Sequence, residues 1–249
     1  MEIRTFGSGM RLRECERRLM LSDFGATRLL LLPIPTTRDK EYITGTSVRL
    51  SELYQFCTRD TMVAGYAIPS SVREKMESLG ARVFDAGLDE KFLIANAEIS
   101  ARGALGYLLS DSELDVSDMR IGIIGYGRIG RELSRLLLFL GAHITVYTKR
   151  AGVAADLASL GIDAEIVSYN TNLGSLDTVF NTAPESIISA ERIAALPEKT
   201  RIIDLASGNI FSPSSRLTKL ASIPETMYPI SAGRLYSEAI IRGLRGNFG

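Results

Sequence analysis

The sequence predicts an α/β protein of two domains, each built on a mostly parallel sheet. Short apolar runs alternate with longer amphipathic stretches along the whole chain, the pattern of strands joined by crossover helices. At 249 residues the chain exceeds the roughly 100 to 200 residues of a usual domain. A glycine turn at Gly125–Gly130, set between an apolar run and an amphipathic one, marks where a strand passes into a helix.

In the first part, strands are expected at Thr27–Pro35, Thr61–Ala67 and Ala81–Phe84, and helices at Arg11–Leu21, Ser47–Phe56 and Ser70–Leu79. Pro33, Pro35 and Pro69 fall at strand ends, where a missing backbone donor costs little. Residues 1–95 therefore read as a smaller, flavodoxin-like α/β domain. From Glu90 to about Ser110, Leu93, Ile94, Ile99, Leu105 and Leu108 keep helical spacing, interrupted by Gly103 and Gly106. Together with the acidic, polar stretch that follows, this makes residues 96–118 an interdomain helix and linker.

The second domain, residues 119–249, reads as strand Arg120–Ile124, helix Gly130–Leu140, strand His143–Thr148, helix Val153–Leu160 and strand Asp163–Val167. Further strands are expected at Asp177–Asn181, Arg201–Leu205 and Thr226–Ile230, with helices at Ser189–Leu196 and Leu235–Leu244. The last of these helices could pack back on the first domain.

Composition narrows the function. Lys plus Arg equals Asp plus Glu at 29 each, so no overall field draws the chain to nucleic acid or to an anionic membrane. A small molecule is the expected partner. The two cysteines, Cys15 and Cys57, form no CxxC pair, which argues against a disulfide framework or a thiolate metal site. The opening MEIRTFGSGMRLRE has no signal-peptide apolar core, and no run approaches roughly 18 apolar residues. A cytoplasmic protein is expected. The single histidine, His143, excludes histidine-rich metal sites.

The glycine turn has a specific chemistry. Gly125 would allow the tight turn, Gly127 the approach of a diphosphate to the backbone, and Gly130 the close packing of helix on strand. Tyr126 lies within the turn, and Arg128 and Ile129 would donate backbone amides at the helix N-terminus, where the dipole favours an anion. Strand, turn, helix and second strand follow within about thirty residues, the order of a Rossmann dinucleotide-binding domain. An acidic residue after the second strand would bond the ribose 2′-hydroxyl of NAD; Thr148, Lys149 and Arg150 stand there instead. A hydroxyl and two cations suit the 2′-phosphate of NADP, with NAD as the alternative cofactor if these residues are only a solvated loop.

Ligands of open α/β sheets bind beyond the carboxyl ends of strands, so residues following strands are the site candidates. These are Asn181, Thr182, Ala183 and Pro184; Leu205, Ala206 and Ser207; and Leu32 to Thr37. His143 begins its strand, on the side away from these ends. An ordinary 2-hydroxy-acid dehydrogenase, a class that shares the glycine turn, would need a catalytic histidine that this chain does not place there.

Six segments occur in order: LPIPTT at 32–37, NAEISARGAL at 96–105, IGYGRIG at 124–130, NTAPESII at 181–188, DLAS at 204–207 and PISAG at 229–233. In these the chain resembles the dipicolinate synthase A-subunit family across nearly its full length. The resemblance implies an NADP-linked oxidoreductase of sporulation that oxidises a dihydrodipicolinate-like dicarboxylate to pyridine-2,6-dicarboxylate, and it implies a flavoprotein-like B subunit for its partner. A homodimer is the base-rate expectation for such a fold. The family's Pro-Gly-Gly stretch after DLAS is here Gly208-Asn209-Ile210-Phe211, and its later Gly-Leu-Pro-Gly loop is reduced to Ser222–Tyr228. These departures support an alternative, a catalytically reduced dinucleotide-binding subunit with a regulatory or assembly role. A dicarboxylate would call for hydroxyls and cations, and Thr36, Thr37, Arg38, Ser100, Arg102 and Ser207 occupy motif positions. For each of them taken alone, a helix cap or a loop hydrogen bond is the more ordinary role.

Overall fold

The structure, a computed structural model, describes residues 2–22, 28–168, 170–206 and 214–245. The chain divides into two compact units, Met1–Asn96 with Pro224–Gly249, and Ala97–Ile223.

The first unit opens with β1 (Glu2–Thr5), α1 (Met10–Met20), β2 (Arg28–Leu31), β3 (Thr61–Gly65), α2 (Ser70–Ser78) and β4 (Arg82–Asp85). The four strands are all parallel and lie in the order β1-β2-β3-β4. Side chains alternate between the two sheet faces: Leu30, Val63 and Val83 on one, Leu29, Leu31, Met62, Ala64 and Phe84 on the other. Both sets are buried, as a parallel sheet requires. The first face is covered by α2 and by a 3₁₀ helix, Leu50–Phe56, through Leu50, Leu53, Val72 and Met76; the second by α1 through Leu12, Cys15 and Leu19. Cys15 and Cys57 are free and buried, and burial pushes both thiols up.

Two details of this unit differ from expectation. The segment expected as an α-helix from Ser47 is 3₁₀, held by Glu52 N–H to Arg49 O at 3.0 Å and Cys57 N–H to Tyr54 O at 3.1 Å. A flavodoxin-like sheet has the order 2-1-3-4-5, with a strand outside the first; the described residues place none outside β1. The chain steps across the sheet in one direction while α1 and α2 cover opposite faces. The β1-α1-β2 connection therefore has the opposite hand to β3-α2-β4, although such crossovers are right-handed in ~98% of cases.

A single helix, α3 (Glu90–Ser110), runs unbroken through Gly103 and Gly106, where an interruption was expected. In the second unit follow β5 (Arg120–Ile124), α4 (Arg128–Phe139), β6 (His143–Thr148), α5 (Ala151–Ser159), β7 (Asp163–Ile166), β8 (Thr178–Asn181), α6 (Ala190–Ala194), β9 (Arg201–Asp204) and β10 (Leu217–Lys219). The six parallel strands lie in the order β7-β6-β5-β8-β9-β10. Counted within the unit this is 3-2-1-4-5-6, the Rossmann order, which reverses between β5 and β8. Ala101, Ala104, Leu108, Leu133, Leu137 and Leu157 of α3, α4 and α5 pack on one face, against Ile121, Ile123, Ile144 and Val146. Ile187, Ile188 and Ile193 pack on the other, against Val179 and Ile202.

The chain closes with α7 (Ile223–Thr226) and α8 (Pro229–Arg245). A strand was expected at Thr226–Ile230; the segment instead ends α7 and starts α8. Pro229 is the first helical residue, where its missing N–H would have had no helical partner. Ala232, Gly233, Tyr236, Ala239 and Ile240 then recur at helical spacing and are buried, with Tyr236, Ala239 and Ile240 packed beside Leu12, Cys15 and Leu19 of α1. The crossing is close at Gly233, where a Cβ would stand 2.5 Å from Arg11 O. Among the described residues no helix is long and apolar enough to cross a membrane.

Candidate functional site

The turn after β5 lies at the sheet's switch point, and backbone or packing requires two of its three glycines. Gly125 has φ +91°, in the left-handed region, and its N–H donates to Tyr147 O at 2.8 Å. At Gly130 a Cβ would stand 2.5 Å from Gly125 O and 2.9 Å from Thr182 Oγ1, so only glycine lets α4 lie against the turn. Gly127 is the N-cap of α4 with an ordinary φ of −85°, and apart from its chain neighbours no heavy atom among the described residues lies within 4 Å of its would-be Cβ. Neither backbone nor packing demands a glycine there. What a side chain would fill is open space directly before a helix N-terminus.

That N-terminus has two features that favour an anion. No side chain among the described residues caps it, and the first turn of α4 holds no acidic residue. The helical ladder begins with Arg131 N–H to Gly127 O at 2.9 Å, which leaves the preceding amides of Arg128 and Ile129 outside it. Thr182 ties the turn down from β8: its hydroxyl is shared between Ile124 O at 3.0 Å and Gly125 O at 3.2 Å. These residues fit the diphosphate of a dinucleotide, in the cradle that a Cβ at position 127 would fill.

The end of β6 reaches the same place. Arg150 Nη2 donates to Tyr126 O at 2.6 Å, and Thr148, 3% exposed, accepts Arg150 N–H on its hydroxyl at 3.2 Å. Lys149 Nζ stands 3.7 Å from Glu185 Oε2, both exposed and therefore weakly paired. Arg131 lies over the Tyr126 ring at 6.0 Å. Residues 125–130, 148–150 and 181–185 thus converge at the carboxyl ends of β5, β6 and β8. Leu205 joins them through its N–H to Asn181 O at 2.9 Å, and Ala206 through its N–H to Asp204 Oδ1 at 3.1 Å. Pro184 is exposed beside Ala183, which is buried.

A buried network beside this loop carries no periodic signal in the sequence. Asp204, 2% exposed, accepts from Asn181 Nδ2 at 2.8 Å and from Lys219 Nζ at 2.6 Å, and Lys219 also donates to Ala206 O. Lys219 lies on three-residue β10 and reaches over β9 to hold the carboxylate and the carbonyl two residues later. The signal that could have found it is the Asp at a strand end, which in a buried position demands a cation or several donors.

The hydroxyls named as catalytic candidates have these settings. Thr36 is fully buried; its hydroxyl donates to Pro33 O at 3.3 Å and accepts Tyr66 N–H at 2.9 Å. Thr37 donates to Asp39 Oδ1 at 3.1 Å and accepts Lys40 N–H at 2.9 Å. Ser100 is buried within α3, and Arg102, one turn from Glu98, pairs with it at 3.1 Å. Ser207 lies outside the described residues. His143 is exposed at the start of β6, remote from the carboxyl ends of the strands. A cavity of about 270 Å³ in the second unit, lined by Asp111, Lys199 and Arg201 among others, opens at the opposite, amino ends of β8 and β9.

Comparison with known proteins agrees with this geometry. Residues 101–222 match the family model for the D-isomer specific 2-hydroxyacid dehydrogenase, NAD binding domain. The A subunit of dipicolinate synthase from Bacillus subtilis (strain 168) is 24% identical over 119 residues, which cover 46% of this chain and 39% of that protein. D-3-phosphoglycerate dehydrogenase 1 of Saccharomyces cerevisiae is 26% identical over 125 residues, 46% of this chain and 26% of that one. The matches therefore span well under half the length of these relatives. In fold the likeness is wider: the crystal structure of the dipicolinate synthase A subunit from Bacillus halodurans superposes with a TM-score of 0.77, 17% identity, over 99% of this chain and 98% of its own. The chain is thus similar to the A subunit of dipicolinate synthase in sequence and in fold, and it carries a dehydrogenase-type dinucleotide-binding domain. A nicotinamide dinucleotide is the cofactor that such a domain supports.

Proposed function

We propose that the protein is an NADP-dependent oxidoreductase resembling the A subunit of dipicolinate synthase and acting on a dihydrodipicolinate-like dicarboxylate. The observation that carries the reading is the open space at Gly127, before the uncapped N-terminus of α4 and between two glycines that backbone and packing each require. Gly125 to Gly130 would hold the diphosphate. Thr148, Lys149 and Arg150 would receive the 2′-phosphate, where two cations and a hydroxyl favour an anion that a carboxylate would repel. Asn181 to Pro184, with Leu205, Ala206 and Ser207, would border the nicotinamide end. The bound nicotinamide supplies hydride acceptance: the dihydropyridine ring loses a hydride to it and a proton to solvent, leaving aromatic pyridine-2,6-dicarboxylate. Self-association, and pairing with a flavoprotein-like B subunit, belong to the same proposal.

The experiment is calorimetric titration of the purified chain with NADPH and with NADH at the same moderate salt. Tighter binding of NADPH is expected; binding of neither would overturn the reading. A second reading, a dinucleotide-binding subunit of regulatory or assembly role, draws support from Thr36, whose hydroxyl proton is already used by Pro33 O. Binding without turnover of the dihydropyridine substrate under saturating NADP would favour it.

A further inference from the structure

We propose that the first unit carries a carboxylate-binding site, formed by Arg11 and the N-terminus of α1, at which Glu225 stands as a competing carboxylate. The site lies after β1, at the carboxyl edge of its sheet. Gly9, the N-cap of α1, has φ +122° and supplies no side-chain cap, and the helix has no acidic residue in its first turn. The ladder of this eleven-residue helix starts with Arg13 N–H to Gly9 O at 3.1 Å, so the amides before it face outward from the helix end.

Arg11 adds an independent observation. It belongs to that first turn and is 6% exposed, yet its Nε has no hydrogen-bond partner among the described residues. Nη2 donates to Asn96 Oδ1 at 2.9 Å, and the guanidinium lies 5.8 Å from the centre of the Phe92 ring. Burial lowers its pKa, an effect opposed by nearby Tyr236, Glu225, Cys15 and Tyr66, but a guanidinium stays charged throughout. A buried cation with an unfilled donor and, among the described residues, no carboxylate bonded to it is incomplete as a structural ion pair.

Glu225 shows what the place attracts. Its Oε1 lies 2.5 Å from where a Cβ on Gly9 would be, so the carboxylate is laid directly against the N-cap. It also favours the charge on Arg11 without bonding to Nε. Glu225 is half-buried on the four-residue α7, an element short enough to shift. A ligand carboxylate reaching the same N-terminus would fill the donor that Glu225 leaves open and displace Glu225 toward solvent.

Choosing pyridine-2,6-dicarboxylate as the probe rests on the proposed substrate class; the site itself does not depend on the dinucleotide. Calorimetric titration of the full chain with this dicarboxylate, and separately with NADPH, is run on the wild type, Glu225→Gln and Arg11→Met. Met keeps most of the buried volume while removing the charge. Glu225→Gln is expected to tighten dicarboxylate binding about tenfold and Arg11→Met to weaken it about tenfold, with NADPH affinity unchanged in both. No binding to wild type and to Glu225→Gln, no gain in Glu225→Gln, or no loss in a folded Arg11→Met overturns the proposal. If Arg11→Met does not fold, the Glu225→Gln titration decides alone. Failure of NADPH to bind, with the dicarboxylate results as expected, would sink the dinucleotide reading and leave this site standing.

Discussion

Gly127→Asp separates binding from folding. Apart from its chain neighbours, no heavy atom among the described residues lies within 4 Å of the added Cβ, and φ −85° suits any residue, so the described fold meets neither clash nor strain. As an N-cap, aspartate is better than glycine by about a few tenths of a kcal/mol, which moves the melting temperature by about 1 °C upward. Against a diphosphate the same carboxylate is placed badly. At ~5 Å and an effective dielectric of ~20, each pair of unit charges repels by about 3 kcal/mol before salt screening. The expected loss of NADPH affinity is therefore about 100-fold or more. Gly130→Ala is the contrast: its Cβ would sit 2.5 Å from Gly125 O, and relieving that contact costs about 1–3 kcal/mol, a fall of roughly 3 to 10 °C. NADPH fluorescence titration and thermal melting of both variants test the pair. A folded Gly127→Asp protein that binds within about threefold of wild type would refute the assignment of the turn. A melting point well below wild type would refute the claim that the space at position 127 is open.

Lys149→Glu combined with Arg150→Ala is expected to lower the NADPH-to-NADH affinity ratio by about tenfold or more; an unchanged ratio would show that the β6 end does not read the 2′-phosphate. Lys219→Met strips the buried Asp204 carboxylate of its cation, at a cost of about 3 kcal/mol, the low end for a broken buried pair because Lys219 is 30% exposed. Adding Asp204→Asn should recover more than half of the lost melting temperature, and no recovery would show that Lys219 matters for something else. Glu14 bonds Arg17 and Arg18, which hold its carboxyl at about 2 rather than the ordinary 4.5. Its stabilisation is complete above 4.5 and lost as pH falls toward 2; urea melts of Glu14→Gln should accordingly show a shallower decline across that window.

The parts of the fold legible in the sequence were those with a local physical requirement. Strand, turn and helix around Gly125–Gly130 need specific backbone conformations and spacings within a few residues, so residue type alone reveals them. β1 and β10 were invisible because Glu2–Thr5 and Leu217–Lys219 are too short for a period, and each carries charges on a sheet edge. At Thr226–Ile230 short-range apolar character outweighed the proline at the first turn of a helix, and the helix was recognised only from Leu235. The candidate site splits in the same way. The segments at 125–130, 148–150 and 181–184 could be read from strand ends, whereas the Asp204–Lys219 pair and the half-satisfied Arg11 depend on burial and on partners far along the chain, which no spacing rule encodes.

The split composition of the first unit has a consequence during synthesis. Tyr236 of α8 bonds Leu32 O across 204 residues, and α8 shares with α1 the burial of Leu12, Cys15 and Leu19. At roughly 5 to 20 residues per second, a ribosome needs about 10 to 40 seconds to travel that distance. All six strands of the second sheet emerge in that interval, while the side of α1 that meets α8 waits for its cover. The hazard of misassembly for the nascent chain is thus timed by translation: slowing elongation between residues 97 and 223 lengthens it, and chaperone dependence should follow elongation rate rather than the stability of the finished protein.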